Sequence, residues 1–109
     1  MDCQVFVEFR KKGENEMIVK VKNIHGSGDN RPPRDYKSWK EWWEDQKGRK
    51  FSTCACIYCK EKATDGGHVI MVDSDDHSWY IVPLCAHHNN PNYTDPYYVD
   101  SQDMVPVNH

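Results

Sequence analysis

The chain contains no lysine or arginine after Lys62, although it carries 14 basic residues in all. The same C-terminal segment contains seven aspartates, so residues 63–109 have a net charge of −7, whereas residues 31–62 net +4 and residues 1–30 net zero. Charge asymmetry of this kind is typical of an interaction surface. The overall net charge of −3 excludes a uniformly basic nucleic-acid coat protein.

Long apolar runs are also missing. No segment approaches the roughly 20 apolar residues that a membrane span needs, and the first twenty residues lack the apolar stretch of a signal peptide. We therefore expect a cytoplasmic protein that makes no membrane contact. Only 38% of the residues are hydrophobic, but they include four Trp, six Tyr and three Phe. A length of 109 residues with a few large anchors predicts a single domain spanning residues 1–109.

The cysteines indicate a metal site. Their number, five, is odd, and without a secretion signal this argues against a disulfide framework. Cys56 and Cys59 form a C-x-x-C pair, and Cys85 and His88 form a C-x-x-H pair. Zinc prefers four nitrogen or sulfur ligands in a tetrahedron, and short C-x-x-C turns present two thiolates to one ion. The spacing predicts one structural Zn²⁺ bound by these four residues.

Other ligand choices remain open at this stage. Cys54 can replace either member of the first pair, and His87 can replace His88. The x-x spacing favours Cys56 and His88 because it uses both halves of the site alike. Cys3 lies in an alternating segment, which predicts a buried thiol and not a ligand.

Periodicity divides the first half of the chain into a hairpin and a helix. Residues 3–10 and 17–22 alternate apolar and polar side chains, which predicts a β-hairpin with one buried face. A Gly/Asn/Pro-rich loop follows at residues 25–34. Ser38 and Glu41 are spaced as a capping box, and Gly48 is a plausible stop. The helix between them carries one aromatic stripe that we expect to be buried: Trp39, Trp42 and Trp43.

The second half predicts a further hairpin. Strands at residues 68–72 and 79–84 are joined by a polar loop. A short helix is expected from Cys85 through Asn90, limited by Pro91 and Pro96. The tail alternates weakly around residues 98–107, which predicts an edge strand.

Residues 56–90 resemble a treble-clef zinc finger: a knuckle, a hairpin and a C-x-x-H pair at the predicted start of a helix. More narrowly, they resemble the zinc-containing HNH (His-Me finger) endonucleases. That family commonly shows C-x-x-C, a histidine opening the first strand, an N-L-x-x-L-C stretch and a last histidine just past the second zinc pair. His68 matches the first catalytic histidine, and residues 80–85 match the stretch that leads into the second zinc pair. The resemblance covers about a third of the chain.

This chain departs from the family pattern at three positions. Gly67 stands where the family has an acidic metal ligand, Tyr80 where it has the orienting asparagine, and Asn89 where it has the last histidine, although some members carry asparagine there. The resemblance implies that His68 is the general base and that Asn89 supports a catalytic Mg²⁺ or Mn²⁺. The missing carboxylate would make such a site weak.

The prediction for the whole chain is an α+β fold. An N-terminal β-hairpin and Trp-rich helix (residues 1–50) precede a zinc-bound treble-clef or HNH-like ββα finger and C-terminal tail (residues 51–109). The expected function is a non-catalytic zinc module that binds a macromolecular partner, above all a protein such as a basic nucleic-acid-binding one, through its acidic surface. The alternative is a small HNH-type endonuclease that uses His68. Nucleic acid would then be held by basic residues of the 31–62 segment: Arg31, Arg34, Lys37, Lys40, Arg49, Lys50 and Lys60.

Overall fold

The computed structural model describes residues 17–24, 31–75 and 77–107. Within these ranges one helix and five strands form a small α+β fold in which all five strands belong to one antiparallel sheet of order β4-β1-β2-β3-β5. The elements are β1 (Ile18–Asn23), α1 (Trp39–Lys47), β2 (Asp65–Met71), β3 (Tyr80–Leu84), β4 (Tyr97–Asp100) and β5 (Val105–Pro106). No helix in the described ranges is long and apolar enough to cross a membrane.

Helix α1 forms as its sequence predicts. The Ser38 hydroxyl accepts a hydrogen bond from the backbone N–H of Glu41 (3.1 Å), which satisfies one of the orphan donors of the first turn. The helix ends at Gly48, whose φ of 71° is left-handed and whose N–H donates to the carbonyl of Glu44 (2.9 Å). A left-handed residue at this position favours glycine, because a Cβ there is strained. The predicted helix and its stop are therefore confirmed.

The two faces of the sheet bury different side chains. Neighbours in a strand point to opposite faces, so the cross-strand pair His68 and Ile81 shares one face while Gly67 and Val82 share the other. Helix α1 packs on the His68 side, where Trp42 and Trp43 cluster with Ile81 and with Val105 of β5. We call this the helix face. The opposite side, which we call the metal face, gathers these buried residues: Val21, Cys54, Ala55, Cys56, Val69, Val82, Leu84, Cys85, Tyr97, Val99 and Met104.

The sheet must curl, because its two edge strands are consecutive in the chain. Strands β4 and β5 are joined through the 3-10 helix Ser101–Asp103. The five residue steps from Asp100 to Val105 span at most about 18 Å even if fully extended, whereas a flat five-stranded sheet places its edges about 19 Å apart. A link containing a helical turn is shorter still. The curl brings β4 towards β3 and encloses the metal face.

The cysteine-rich segment fills the gap that this curl leaves. The N–H of Ala55 donates to the carbonyl of Pro83 in β3 (2.7 Å), and the N–H of Ile57 donates to the carbonyl of Tyr98 in β4 (3.0 Å). Cys56 also pairs with Val99 of β4 in an isolated antiparallel β-bridge. Residues 55–57 thus form a short bridging segment between β3 and β4. This bridging segment holds the neighbouring thiols against the metal face.

The predicted and observed secondary structure differ in part. The predicted strand at residues 3–10 lies outside the described residues. Strand β1 covers most of the predicted 17–22 segment, and its described partners are β2 and β4. The helix expected after Cys85 is wrong: residues 86–89 form a single turn closed by the Asn89 N–H and the carbonyl of Cys85 (3.0 Å). Pro91 disfavours the helical conformation of the residue before it, so the turn is not extended.

Candidate metal centre

Three cysteines and one histidine converge at the edge of the metal face. Cys54, Cys59, Cys85 and His88 place one ligand atom each so that all four atoms lie within 4.8 Å of one another. Two of the thiols come from the loop between α1 and β2. The other thiol and the imidazole come from the turn directly after β3. This cluster can hold a metal ion.

The loop that carries Cys54 and Cys59 is a small hairpin of its own. The N–H of Cys54 donates to the carbonyl of Glu61, and the N–H of Ala63 donates to the carbonyl of Ser52, both at 2.9 Å. At the tip the N–H of Cys59 donates to the carbonyl of Cys56 (2.9 Å), which closes a tight turn. The ladder fixes the base of the hairpin and the turn fixes its tip, so both thiols are held by backbone hydrogen bonds.

Three of the six separations within the cluster are close to those of ligands around one ion, and the others are at most 4.8 Å. Cys59 Sγ lies 3.8 Å from Cys85 Sγ, and His88 Nδ1 lies 3.4 Å from Cys85 Sγ and 3.7 Å from Cys54 Sγ. Cys54, Cys85 and His88 are at most 9% exposed, while Cys59 is partly exposed. Three sulfurs and one nitrogen at these distances are compatible with a bound metal such as zinc. Of the two ring nitrogens of His88, Nδ1 is the one that faces these sulfurs.

One member of this set differs from the set predicted by spacing. Cys59, Cys85 and His88 belong to both, but Cys54 takes the place assigned to Cys56. Cys56 is buried beside the cluster, and its thiol accepts hydrogen bonds from the backbone N–H groups of Tyr58 and Cys59. The C-x-x-C spacing accounts for that turn. The spacing alone does not reveal that the bridging segment 55–57 turns Cys54 towards Cys85 and His88.

The protonation of the centre without metal follows from its burial. Burial raises the pKa of the Cys54 thiol to about 12 and also raises the pKa of Cys56. Burial pushes the pKa of Cys85 up too, but hydrogen bonds from the backbone of His88 and from neighbouring thiols outweigh it and leave the pKa lowered. Burial, then the nearby His87, lowers the pKa of His88. At neutral pH the metal-free site therefore holds protonated Cys54 and a neutral imidazole.

An aromatic and amide layer surrounds His88, and sequence reasoning missed it. The imidazole contacts the rings of His87, Tyr93 and Tyr97 at centroid distances of 5.0, 4.8 and 5.6 Å. Burial, followed by the neighbouring thiols, raises the pKa of Tyr97 well above its ordinary value. Beyond Tyr97 lies Asn23 of β1, whose side chain hydrogen-bonds to the His88 backbone. The contact joins residues 65 positions apart, so no local pattern indicates it.

His68 lies on the helix face, away from the metal cluster. Its ring stands edge-on to Trp39 at 4.9 Å and to Trp79 at 5.9 Å between centroids, and its Nε2 atom is buried. Gly66 makes this packing possible, because a Cβ at that position would come within 2.9 Å of the Trp39 Cβ. The predicted general base is therefore half-buried beside two indole rings, with its Nε2 atom out of contact with solvent.

Asn89, the second residue that the resemblance marks as catalytic, lies on the other face. A Cβ built on Gly67 would meet Leu84 Cδ1 at 2.3 Å and Asn89 Oδ1 at 2.9 Å, so the Asn89 amide covers the metal-face side of β2. His68, the next residue of the strand, projects to the helix face. The structure does not bring His68 and Asn89 together, and Gly67 has no room for the carboxylate that the family carries there.

Some aspartates of the acidic segment are buried or lie close to a basic side chain. Asp100 is buried and its side chain accepts a hydrogen bond from the N–H of Gln102 (2.9 Å). Asp103 forms an ion pair with Arg49 at 2.8 Å, and Asp73 lies 3.8 Å from Lys20. The acidic surface that the described residues present is therefore smaller than the sequence charge of −7 suggests.

Comparison with known proteins gives no family. No protein-family model matches the chain, and neither a curated protein nor a solved structure is significantly similar to it. The resemblance to HNH endonucleases therefore depends on the segment 56–90 alone.

Proposed function

We propose that the chain is a structural zinc module whose ion is bound by Cys54, Cys59, Cys85 and His88. The observation that carries this proposal is the set of ligand separations. In a tetrahedral site with Zn–S bonds of about 2.3 Å and a Zn–N bond of about 2.05 Å, two sulfurs lie about 3.8 Å apart and a sulfur and a nitrogen about 3.6 Å apart. The corresponding distances here are 3.8 Å between Cys59 and Cys85, and 3.4 and 3.7 Å to His88 Nδ1.

The ligand types support zinc in a structural role. Three thiolates and one imidazole are a common structural zinc set, and soft sulfur ligands disfavour Mg²⁺ or Ca²⁺. Four protein ligands complete a tetrahedron and leave no position for a substrate or a water, whereas catalytic zinc sites keep one position open. The ion would join the loop after α1 to the turn after β3 and so hold the curled sheet closed.

The narrower resemblance remains a proposal. The knuckle at Cys59 and the β2–β3 hairpin correspond to the first parts of a treble-clef finger. The helix that would complete that finger is represented in the described residues by the single turn at 86–89. A treble-clef or HNH-like origin is consistent with the order of the ligands along the chain.

We further infer that the module is non-catalytic and binds a basic macromolecular partner, with a protein favoured. The packing of His68 against Trp39 and Trp79, with its Nε2 atom buried, supports the non-catalytic part, as does the position of Asn89 on the opposite face. The exposed side chains of Asp65, Asp75 and Asp95 support the basic partner.

The metal proposal is tested with a matched pair of variants. Cys54→Ser and Cys56→Ser each remove one buried thiol, two positions apart. Metal analysis of the purified wild type should give one zinc per chain. Cys54→Ser should lose stoichiometric zinc, while Cys56→Ser should retain it. Loss of zinc in Cys56→Ser with retention in Cys54→Ser would instead restore the C-x-x-C set, and a zinc-free wild type would overturn the proposal.

The alternative nuclease function has its own test. Plasmid nicking is measured with Mg²⁺ or Mn²⁺ for the wild type and for His68→Gln, which keeps a polar side chain of similar length between the indoles. We expect no metal-dependent nicking by either protein. Nicking by the wild type that disappears in His68→Gln would establish the nuclease and exclude the non-catalytic assignment.

The partner proposal is tested by measuring the binding of a basic peptide to the wild type and to a variant with fewer acidic side chains. A basic probe, a poly-lysine peptide, should bind the zinc-loaded protein, and the binding should weaken with added salt. The double variant Asp75→Asn/Asp95→Asn should bind it more weakly. Binding of single-stranded DNA in place of the basic probe would assign the interaction to the 31–62 segment.

A further inference from the structure

Asn23 ends strand β1, and its side-chain amide reaches the segment that carries a metal ligand. Asn23 Nδ2 donates to the backbone carbonyl of His88 at 2.6 Å and lies 3.3 Å from the carbonyl of Tyr93. Its Oδ1 accepts a hydrogen bond from the Tyr97 hydroxyl at 2.6 Å. One partly buried amide thus joins β1, the turn after β3 and the start of β4.

The segment that presents His88 is a single turn of chain. Within residues 86–89 the closing hydrogen bond runs from the Asn89 N–H to the Cys85 carbonyl. The Asn90 N–H also donates to the His87 carbonyl (3.3 Å), and the backbone N–H groups of His87 and His88 donate to the Cys85 thiol. Bonds within one short turn still offset only part of the backbone entropy that it fixes. A contact from a sheet strand to the His88 carbonyl restrains the backbone of this ligand residue and so restrains the direction of its imidazole.

Tyr97 fixes which way the Asn23 amide points. Because the Tyr97 hydroxyl donates to Oδ1, the NH₂ end must face the carbonyls of His88 and Tyr93, and the two donors of the amide suit two acceptors. The Tyr97 ring also packs against the His88 imidazole. The hydrogen bonds from Tyr97 to Asn23 and from Asn23 to His88 therefore restrain the backbone of His88. The Tyr97 ring restrains its imidazole.

We propose that Asn23 is a positioning residue of the metal centre, oriented by Tyr97 and acting through the His88 backbone. This proposal rests on the proposed metal-binding function. Groups that orient metal ligands from outside the coordination sphere contribute about 10- to 100-fold to metal affinity. Asn23 holds the ligand turn in its binding geometry before the ion arrives, so its removal weakens binding without removing a ligand.

The test compares three variants with one control on the same strand. Asn23→Asp keeps the shape and the acceptor for Tyr97 but replaces the donor with a carboxylate that faces two carbonyl oxygens. Asn23→Ala removes both functions, and Tyr97→Phe removes only the hydroxyl. Lys22→Ala, an exposed neighbour, is the control. Affinities for Zn²⁺ and Co²⁺ are measured by competition with a chromophoric chelator.

The expected order of affinity is wild type and Lys22→Ala, then Tyr97→Phe, then Asn23→Ala, then Asn23→Asp, with about a 10- to 100-fold loss for Asn23→Asp. The Co²⁺ absorption spectrum reports ligand geometry, which general destabilisation alone would not change, and we expect it to shift in the Asn23 variants. If Asn23→Asp does not fold, Tyr97→Phe carries the test, since it retains both aromatic rings beside His88.

The outcomes separate this inference from the one it rests on. A wild type that binds neither ion would remove the metal function itself. A wild type that binds zinc, with Asn23→Ala and Tyr97→Phe equally tight and spectrally unchanged, would overturn the positioning role and leave the metal function standing.

Discussion

The helix face and the metal face share one sheet but are stabilised by different means. The helix face buries large side chains, with Trp43 fully buried and edge-on to Phe51, so apolar area and aromatic contacts hold it together. The metal face buries three thiols and Ala55 among its valines and leucine. The backbone of the metal face is irregular between β3 and β4, where the bridging segment 55–57 replaces a regular strand. On the proposed function, the helix face forms from packing alone, whereas the metal face depends on the ion.

Removal of the metal should have the largest effect and should separate the two faces. Apparent binding free energies at structural zinc sites are about 10–16 kcal/mol, as large as the whole stability of a typical domain. Chelation of the purified protein should abolish amide-exchange protection at residues 54–64 and 84–99 while residues 39–47 lose less. Added Zn²⁺ should restore it. Equal loss in both regions would mean that the faces do not differ as proposed.

Acidification should remove the metal by proton competition. Bound metal keeps the ligand thiols deprotonated, which depresses their effective pKa in the loaded protein. The stabilisation is therefore present at neutral pH and lost as the pH falls. Without metal, burial raises the pKa of Cys54 to about 12, so this thiol must release a proton on binding, whereas His88 has a lowered pKa and releases none at pH 7.

These protonation states predict that binding releases about two to three protons per ion near pH 7. The apparent affinity should then fall by about 100- to 1000-fold per pH unit. Calorimetry in buffers of different ionisation enthalpy counts the protons directly. Release of fewer than two protons would contradict binding through three thiolates.

Trp43→Ala should damage the helix face next most severely. Trp43 is fully buried, its Nε1 donates to the carbonyl of Asp103 (2.9 Å), and the Arg49 guanidinium stacks on its ring at 4.8 Å. Truncation of a buried Trp costs about 3–5 kcal/mol. Denaturant unfolding of the zinc-loaded protein measures this loss. Trp39→Ala, at a partly exposed position, should cost less, and both variants should keep one zinc per chain if the faces are independent.

Sequence reasoning reached those parts of the fold whose causes are local. The Trp stripe and the Ser38 and Gly48 signals predicted the helix, and two short strand segments joined by a polar loop predicted the β2–β3 hairpin. It did not reach features that depend on distant contacts. The position of Cys54 in the cluster follows from the hydrogen bonds of the bridging segment 55–57 to β3 and β4. The Asn23–His88 contact joins residues 65 positions apart. The separation of His68 from Asn89 follows from strand alternation, which becomes informative once the register of β2 and β3 is known.

Ser38→Ala should have the smallest effect and should sharpen the comparison most cleanly. The Ser38 hydroxyl accepts from the Glu41 N–H, and the Glu41 carboxylate in turn accepts from the Lys37 N–H at 2.8 Å. Loss of an N-cap costs about 1 kcal/mol, and this should appear in the free energy of unfolding of the zinc-loaded protein. Ser38→Asp should restore it, because aspartate caps as well and its charge favours the helix N-terminus. Ser52→Ala, an exposed serine at the base of the cysteine hairpin, is the control. Because the cap touches only the helix face, zinc affinity should be the same in all three variants. A matching loss of zinc affinity in Ser38→Ala alone would show that helix packing is transmitted through β2 to the metal centre, and the two faces would then form one cooperative unit.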